Sequence, residues 1–593
     1  MNTSDIHSFS RPDEVVVKHL SLNLTIDFSS KIISGTATLM IENKTGTSSL
    51  FLDSRELNIR RILLDSGTET QYSKGKVVPF LGQSLEVKIN SDTKKVIIEY
   101  NTVPEAAALQ WLSPRQTAGG KYPFLFTQSQ AILARTWIPI QDSPGIKFTY
   151  DAVVKCPKEL MAVMSADNDT VKHADGIYHF EMPQPVPSYL MALAVGDLAF
   201  HPYNNMCGVF AEPVMMEKCA YEFSDLPKMI SSAGELYGEY QWGRYDVLVL
   251  PPSFPFGGME NPRITFATPT IIAGDRSLVS LIAHELAHSW SGNLVTNATW
   301  NDFWINEGFT VYFESRIMEK IYGKDYADML SLLSQNELKE TIREMGDTHL
   351  DTKLYLNLKN RDPDEGVTDI AYQKGRFFLT RLEEISGRDK WDIFLKKYFE
   401  EFAFQSMTTE KFLAYLDKEF FQKNPSFRNE ININEWIYGT GLPADCPAVK
   451  SSELEKAGIA AADFAAGIEA SELKTEGWTT HHWLYFLRSI SDTLNYAKMT
   501  ELDKKFHFTG SGNSEILCDW LRLCIKNKYD PAYPELENFL MTVGRRKFLK
   551  PLYADLIKTK QGQEMALKIY SKARDGYHSV ATHTLDEMLS YKN

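Results

Sequence analysis

The spacing of apolar residues changes along this chain, and that change constrains the fold more than any other feature of the sequence. Between Leu20 and Ile26 every second residue is apolar, and the residues between them are polar. This alternation is typical of a strand with one buried face. Similar runs, separated by Gly, Asn, Asp and Pro, occur at residues 36–41, 84–89, 95–100 and 147–154. We therefore predict an all-β N-terminal domain over residues 1–200.

The spacing becomes helical in the middle of the chain. Beyond Ser277, apolar residues recur at helical intervals through the 280s, the 300s and the 370s, which indicates helices. We predict a central domain over residues 201–445 that is mainly α with some β structure. A break that contains Gly and Pro, at residues 438–443, marks its end.

The last part of the chain contains two further segments. The Ala-rich stretch from Ser451 to Glu476 has weak patterning, and we interpret residues 446–476 as a linker segment. Beyond it, helical stripes predict an all-α C-terminal domain over residues 477–593, as in Ile516, Leu517, Trp520, Leu521, Cys524 and Ile525. The three domains together predict a multidomain α+β fold.

Length and charge exclude several classes of protein. A chain of 593 residues is too long for a single hydrophobic core. A formal net charge of −14 disfavours nucleic-acid binding, because phosphate-binding surfaces need an excess of Lys and Arg. No uncharged apolar stretch is long enough to be an integral membrane segment, and no apolar block opens the chain, so we expect a cytoplasmic protein. The oligomeric state stays open, and a monomer is compatible with the sequence.

A metal-ligand motif lies within the apolar segment at residues 278–290. The motif is His-Glu-Leu-Ala-His, with His284 and His288 at its ends and Glu285 after the first histidine. We expect a buried helix here that ends at Gly292. At 3.6 residues per turn the two imidazoles share one face and can bind one Zn²⁺, with Glu285 beside the open position of the metal.

A third ligand is available in a second predicted helix. The segment at residues 300–308 offers Asn301 or Asp302 as an N-cap and Glu307 within the first two turns. Two histidines and one glutamate are typical of a catalytic zinc site, where water takes the fourth position. Zinc lowers the pKa of that water toward about 7, and Glu285 can take its proton and pass it to a leaving amine. We therefore expect one catalytic zinc ion and hydrolysis of an amide.

Other interpretations of these residues stay in view. Two satisfied core histidines would leave unexplained why Glu285 lies between them on an otherwise apolar helix. Glu314 follows Glu307 by two turns and shares its face, so it could accept a hydrogen bond from a ligand imidazole. A carboxylate on the helix surface would have the same spacing.

A second motif makes the prediction more specific. Gly257, Gly258, Met259 and Glu260 are followed by Asn261, and the glycines allow close approach of the backbone. This motif, the histidine motif with its distant glutamate, and the Asn-Glu-Gly segment at residues 306–308 together resemble the gluzincin family of zinc aminopeptidases. The resemblance extends over the whole chain and implies a thermolysin-like central domain, with supporting stretches at residues 123–131, 135–144, 371–375 and 543–548.

The resemblance implies roles for residues that bind the start of a peptide. Glu260 would bind the free α-ammonium group, beside the Gly257–Met259 backbone, and so restrict cleavage to the first peptide bond. Gln130 would share the contacts to the first substrate residue. Tyr372 would donate a hydrogen bond to the oxyanion of the tetrahedral intermediate. Without the resemblance, Gln130 would be an ordinary strand residue and Tyr372 a packing residue.

The resemblance also implies a basic pair for the other end of the substrate. Arg545 and Lys547 would receive the terminal carboxylate of a short peptide. They are two residues apart, so they share no helical face unless the segment is irregular. The alternative is a plain charge run, because Arg546 and Lys550 lie in the same cluster.

Three positions concern the lipid chemistry and pocket shape known in this family. Asp364 falls where the family places a water-directing carboxylate for epoxide opening. Val367 stands where that epoxide-opening branch carries a tyrosine, and Phe256 replaces another tyrosine beside the glycines. Epoxide hydrolysis is therefore compatible with the sequence but is not indicated by it.

We expect a zinc aminopeptidase that removes the N-terminal residue from short peptides, with di- and tripeptides favoured. The alternative is a bifunctional enzyme that also hydrolyses a lipid epoxide. An endopeptidase of the same zinc class is disfavoured by Glu260 and the basic pair. A silent peptide-binding scaffold would have no chemical reason to keep Glu285, Tyr372 and three metal ligands together.

Overall fold

The structure is a computed structural model that describes residues 5–65, 67–490 and 493–592. The N-terminal part is built from strands, as the alternating pattern predicts. These strands are β1 (Val15–Asp27), β2 (Ile32–Asn43), β3 (Ser49–Ser54), β4 (Asn58–Leu64), β5 (Tyr72–Lys74), β6 (Gln83–Lys88), β7 (Lys95–Asn101), β8 (Leu109–Leu112), β9 (Phe124–Thr127), β10 (Lys147–Lys155), β11 (Met161–Met164), β12 (Ile177–Pro187) and β13 (Leu193–Gly196).

These strands form three sheets. The largest has the order β12-β10-β1-β2-β7-β4, and two smaller sheets have the orders β11-β13-β9-β8 and β3-β6-β5. Strand β1 is parallel to β10 and antiparallel to β2, with Leu20 opposite Tyr150 and Leu39. The apolar residues of the alternating run are buried, so one face of β1 packs on the core and the other is more accessible.

The central part combines a five-stranded sheet and a two-stranded sheet, β19-β20, with nine α-helices. Its five-stranded sheet has the order β14-β15-β16-β18-β17, and a π-helix at Ile370–Lys374 leads into α6. The strands are β14 (Ala199–Pro202), β15 (Cys207–Ala211), β16 (Tyr245–Val249), β17 (Gly258–Met259), β18 (Ile264–Ala267), β19 (Thr296–Asn297) and β20 (Ser406–Met407). The helices are α1 (Met216–Glu222), α2 (Leu226–Tyr237), α3 (Ser280–Ala287), α4 (Phe303–Tyr322), α5 (Lys324–Met345), α6 (Gly375–Ser386), α7 (Arg388–Glu401), α8 (Thr409–Leu416) and α9 (Ile433–Tyr438).

The C-terminal part is helical throughout its described elements. Its helices are α10 (Ser452–Ala465), α11 (Thr480–Ser489), α12 (Tyr496–Phe506), α13 (Ser514–Asn527), α14 (Tyr533–Thr542), α15 (Arg546–Leu556), α16 (Lys560–Ala573) and α17 (Ser579–Leu589). The predicted fold class, with an N-terminal β domain, a central catalytic domain and a C-terminal α domain, is confirmed.

The predicted linker is wrong for much of its length. Residues 446–476 include helix α10, whose Ala457, Ala461 and Phe464 are buried with the C-terminal helices. The side chain of Ser451 accepts a hydrogen bond from Leu454 N and caps this helix. Alanine has the highest helix propensity and little side chain to form a stripe, so the weak pattern reflects close packing of a helix.

The C-terminal domain makes backbone hydrogen bonds to residues 252–255, which lie just before the Gly-Gly motif. Gly544 N donates to Pro252 O at 2.8 Å, and Arg546 N donates to Pro255 O at 2.8 Å. A Cβ atom at Gly544 would lie 2.6 Å from Ser253 O, so only glycine permits this close approach. Within the described residues, no helix is long and apolar enough to cross a membrane.

Candidate metal centre and substrate cavity

Helix α3 brings the two histidines together, but it is shorter than predicted. It ends at Ala287, well before Gly292, and hydrogen-bonded turns follow. His288 keeps helical backbone angles and its N–H donates to His284 O at 3.2 Å. The four-residue spacing therefore still places the two imidazoles side by side, in an edge-to-face arrangement, and His284 Nε2 lies 3.2 Å from His288 Nε2.

Helix α4 supplies the third candidate ligand. Asp302 occupies the N-cap position of this helix, but its carboxylate accepts hydrogen bonds from Thr409 and Thr299 instead of capping the backbone. The first turns of α4 are buried, and Glu307 is 3% exposed. Glu307 Oε2 lies 3.3 Å from His284 Nε2 and 3.5 Å from His288 Nε2.

These three groups have the geometry of a zinc site. Ligands about 2.0–2.1 Å from a tetrahedral zinc ion lie about 3.3 Å from one another, and the three observed separations are 3.2, 3.3 and 3.5 Å. Glu307 Oε2 is buried without a hydrogen-bond partner, which is costly unless a cation satisfies it. Burial lowers the pKa of His288 to about 4, so this imidazole is neutral, as a ligand must be. Burial also opposes the charge of His284, but hydrogen bonding to Glu307 and Glu314 outweighs it and raises the pKa of His284. A metal ion would have to displace that proton.

Hydrogen bonds on the far sides of the imidazoles orient both rings. His284 Nδ1 lies 3.1 Å from Glu314 Oε2, so Glu314 occupies the orienting position that its spacing allows. His288 Nδ1 lies 3.0 Å from Ser291 O and 3.0 Å from Thr310 Oγ1. These partners engage Nδ1 and leave each Nε2 free to bind metal.

Glu285 lies beside the metal ligands and against the Gly-Gly strand. Its side chain is 5% exposed, and its Oε2 has no hydrogen-bond partner. A Cβ atom at Gly258 would overlap the Glu285 carboxylate, and one at Gly257 would lie 2.8 Å from Arg545 Nη2. Both glycines are therefore needed, because Glu285 occupies the space beside Gly258, and Leu281 with Arg545 occupies the space beside Gly257.

Glu260 is a buried carboxylate next to this centre. It is 4% exposed, and one ligand atom each of Glu260, Glu285 and His288 lie within 4.8 Å of one another. Its Oε1 has no partner, while its backbone O accepts a hydrogen bond from Asn293 Nδ2 at 2.8 Å. Burial raises the pKa of Glu260 to about 7. A cation is the partner that would restore its usual pKa.

The metal ligands and Glu260 line a cavity with a volume of about 350 Å³, and other residues singled out in the sequence line it too. Tyr372 comes from the π-helix, and its ring stacks on that of His284 with centroids 6.2 Å apart. Gln130, Asp364 and Val367 also line the cavity. Asp364 is half-buried, and this burial, together with the charge of Asp362, raises its pKa.

The basic pair forms the other end of the cavity and is partly neutralised. Arg545 is 6% exposed, and its Nη1 donates to Glu515 Oε1 at 3.1 Å and to Thr270 Oγ1 at 3.1 Å. Lys547 Nζ donates to Glu515 Oε2 at 2.9 Å, and its side chain is half-exposed. Although burial opposes it, the charges of Lys547 and Arg545 lower the pKa of Glu515 to about 2. The three groups together carry one net positive charge.

Comparison with known proteins assigns the family. The chain matches the Peptidase M1 N-terminal domain over residues 16–190, the Peptidase family M1 domain over residues 221–436, and the leukotriene A4 hydrolase C-terminal domain over residues 478–589. It is 36% identical to leukotriene A-4 hydrolase of Xenopus laevis, with 97% of this chain and 98% of that protein covered. The chain belongs to peptidase family M1.

Other members of family M1 extend this result. Leucine aminopeptidase 2 of Yarrowia lipolytica is 35% identical, over 94% of this chain and 89% of that protein. The structure of yeast LTA4 hydrolase in complex with bestatin superposes with a TM-score of 0.91 at 32% identity, covering 99% of this chain and 97% of the other. The predicted resemblance and the assignment to the zinc aminopeptidases are confirmed, and the enzyme is a zinc metallopeptidase.

The M1 fold brings the predicted site residues into one cavity with one exception. Met259 does not line it, because neighbouring side chains of a strand point to opposite faces. Its sulfur instead accepts a hydrogen bond from Gln128 Nε2 at 3.2 Å. The prediction that Met259 binds substrate therefore concerns its backbone, which belongs to edge strand β17.

Sequence reasoning missed several residues around the M1 site. Tyr189, Asn293 and Asn306 surround Glu260, and Asn306 Nδ2 donates to Tyr189 OH at 3.3 Å. Of these three, only Asn306 could have been found from the sequence, because it precedes Glu307 in the Asn-Glu-Gly segment. No sequence pattern indicates a role for Glu515, since its partners Arg545 and Lys547 lie at the start of another helix of the C-terminal domain.

Proposed function

We propose that this chain removes the N-terminal residue from short peptides, with di- and tripeptides as preferred substrates and one zinc ion per chain. The observation that carries this proposal is the position of Glu260, a buried carboxylate beside Glu285 and His288 whose Oε1 has no hydrogen-bond partner. A substrate α-ammonium group bound there would satisfy Glu260 and would place the first peptide bond at the metal centre. Internal bonds of a longer chain offer no such cation.

The residues around the scissile bond have separate tasks. Zinc held by His284, His288 and Glu307 would supply a Lewis acid that polarises the carbonyl and lowers the pKa of the attacking water. Glu285 takes a proton from that water and gives it to the leaving amine, so one carboxylate serves as base and then as acid. Tyr372 donates a hydrogen bond to the carbonyl oxygen as negative charge develops on it.

The basic end limits the length of the substrate. An extended tripeptide spans about 10 Å, and a cavity of about 350 Å³ that is lined by Glu260 and also by Arg545 and Lys547 suits a molecule charged at both termini. The net positive charge beside Glu515 would be cancelled by one terminal carboxylate. Gln130 would position the first residue between the two ends.

The direct test is a substrate panel on the purified enzyme. We expect turnover of aminoacyl chromogenic substrates and of unblocked tripeptides, loss of both after zinc is removed with a chelator, and recovery when zinc is returned. An N-acetylated tripeptide should be cleaved at least about 10²-fold more slowly, because it offers no cation to Glu260. Equal cleavage of the blocked peptide would favour an endopeptidase and refute the proposal.

A second activity is supported by one further observation. Asp364 lines the same cavity as Tyr372 and the metal ligands, and a relative that matches nearly the full chain is named leukotriene A-4 hydrolase. Asp364 could direct water onto an opened fatty epoxide, as the family resemblance implies. The test is turnover of leukotriene A4 by the wild type and by Asp364→Asn. Hydrolysis that is absent, or unchanged in the variant, would contradict this role.

Two further expectations stay predictions from the sequence. They are the cytoplasmic location and a monomeric state, which suits a cavity formed by one chain. Cell fractionation with an antibody, and light scattering on the purified protein, would test them.

A further inference from the structure

A second cavity lies behind the metal centre. It has a volume of about 680 Å³ and is bounded by helices α4, α5 and α6 and by residues 447–450. Helix α4 separates it from the substrate cavity, because Glu307 and Glu314 line the substrate cavity while Ser315 and Glu319 line the second one. None of the roles assigned above uses this second cavity.

Arg376 is the unusual group in its wall. This residue of α6 is 6% exposed, and its Nη2 donates to Ser331 Oγ. Its Nε is buried without a partner, and its guanidinium packs 4.6 Å from the ring centroid of Phe377. Among the described residues, no carboxylate oxygen lies within 4.0 Å of this guanidinium. The Arg376 guanidinium therefore has N–H donors without an acceptor at the edge of the cavity.

The acidic groups that line this cavity are already engaged with other cations. None of them pairs with Arg376. Glu319 pairs with Arg388, and Glu383 pairs with Arg388 and Arg316. Asp328 pairs with Lys324, and Glu384 pairs with Arg381. Lys450, at the exposed margin, has no acidic partner among the described residues. The charges that remain unpaired in this wall are therefore positive.

A buried guanidinium without an acid is costly, because its charge has left water and found no counter-charge. Burial lowers the pKa of Arg376 to about 10, and the charge of Glu314 offsets only part of this effect. Glu314 itself is committed to His284 on the other side of α4. Arg376 therefore has no acidic partner of its own among the described residues.

We propose that the Arg376 cavity binds a small oxyanion, a single carboxylate, phosphate or sulfate group, with Arg376 as its principal ligand. The planar guanidinium matches two oxygens of such a group, and Lys450 adds positive charge at the entrance. The cavity is large enough for the anion to belong to a small metabolite. The site is separate from the carboxylate-binding pair at Arg545 and Lys547, which lines the other cavity.

Selenate, a tetrahedral oxyanion, and acetate, a carboxylate, test this proposal in the intact enzyme. We expect either anion to raise the melting temperature of the wild type by about 2 °C at millimolar concentrations, and the rise to be lost in Arg376→Gln. The matched control is Arg343→Gln, which removes an exposed arginine from α5 and should respond as the wild type does. A larger effect of acetate than of selenate would identify a carboxylate ligand, and the reverse a phosphate- or sulfate-type ligand.

A crystallographic measurement covers the case in which Arg376→Gln does not fold. Wild-type crystals soaked in selenate should give an anomalous selenium peak in hydrogen-bonding contact with the Arg376 guanidinium. A peak confined to Arg545 and Lys547, or no peak in the second cavity, would overturn the proposal. So would equal thermal shifts for the wild type and the Arg376→Gln variant.

Discussion

The two ends of the substrate cavity are built in different ways. At the metal end, the candidate ligands come from two consecutive helices, α3 and α4, and Glu307 Oε2 has no protein hydrogen-bond partner. At the basic end, Arg545 and Lys547 come from the start of α15 and already contact Glu515 of α13. One end is left open for a cation, and the other carries its own counter-charge.

This difference suggests how the two ends contribute to turnover. The groups proposed for the metal end would act at full strength on the ion and the reacting bond, because Glu307 Oε2 has no hydrogen-bond partner within the protein. At the basic end a substrate carboxylate must share Arg545 and Lys547 with Glu515, which limits the affinity that the pair can give. We therefore expect large effects on turnover from changes at the metal end and smaller effects on KM from changes at the basic end.

Glu285→Gln should have the largest effect. Removing the base should lower kcat for a tripeptide by about 10²- to 10⁴-fold, while the zinc content, measured by plasma mass spectrometry, stays at that of the wild type. Glu344→Gln, at an exposed position of α5, is the control. Turnover within tenfold of the wild type would rule out Glu285 as the proton carrier.

Glu260→Gln should follow. The amide keeps the shape but loses the charge that binds the substrate ammonium, and breaking such a buried pair costs about 2–5 kcal/mol. We expect kcat/KM for unblocked tripeptides to fall by about 10²- to 10³-fold, and discrimination against N-acetylated peptides to disappear. If the variant still preferred the free amine, another group would have to recognise it.

Tyr372→Phe should lower kcat by about 10²-fold with little change in KM, because one donor to the developing oxyanion is lost. Tyr398→Phe is a close control, since the Tyr398 hydroxyl is buried without a hydrogen-bond partner. Steady-state kinetics on the same tripeptide would measure both. A large rise in KM with unchanged kcat would instead assign Tyr372 to ground-state binding.

Arg545→Gln should act mainly on KM. The loss of a charged hydrogen bond, about 1.5–3 kcal/mol, should raise KM for a tripeptide by about 10- to 100-fold. An aminoacyl chromogen without a terminal carboxylate should change little. Arg546→Gln is the matched control, because Arg546 has no bond to Glu515. Equal losses on both substrates would remove Arg545 from carboxylate recognition.

Glu515→Gln should have the smallest effect on turnover, and it tests most directly whether Glu515 competes with the substrate at the basic end. Removing the internal competitor should lower the tripeptide KM by about fivefold, as about 1 kcal/mol of ion pairing becomes available to the substrate carboxylate. The melting temperature should fall slightly, because buried Arg545 loses its acid. A higher KM would mean that Glu515 aligns the pair and does not compete with the substrate.

The metal end of the site could be predicted from the sequence alone, whereas the basic end could not. The spacing of His284 and His288 is dictated by one helical turn, so the sequence alone indicates a metal site. The roles proposed for Glu260, Tyr372, Arg545 and Lys547 depend on the family resemblance. Neither route could find Glu515 or Asn293, because their contacts are made between elements that are distant in sequence.

The fold was predictable wherever one face of an element is apolar. The alternation in β1 and the stripe in α13 both predicted their elements. Helix α10 was not found, because its buried face is made largely of alanines and leaves little contrast with its other face. The end of α3 was misplaced because turns replace the helix before Gly292.

The two glycines before Met259 interlock two parts of the catalytic apparatus. The space that a side chain at position 258 would need is taken by the Glu285 carboxylate, and that at position 257 is bordered by Arg545. The strand proposed to bind the peptide backbone thus lies against both the proposed proton carrier, Glu285, and the proposed anchor for the far terminus, Arg545. A larger residue at position 257 or 258 would therefore displace Arg545 or Glu285, so we expect a change of either glycine to disturb both ends of the substrate at once.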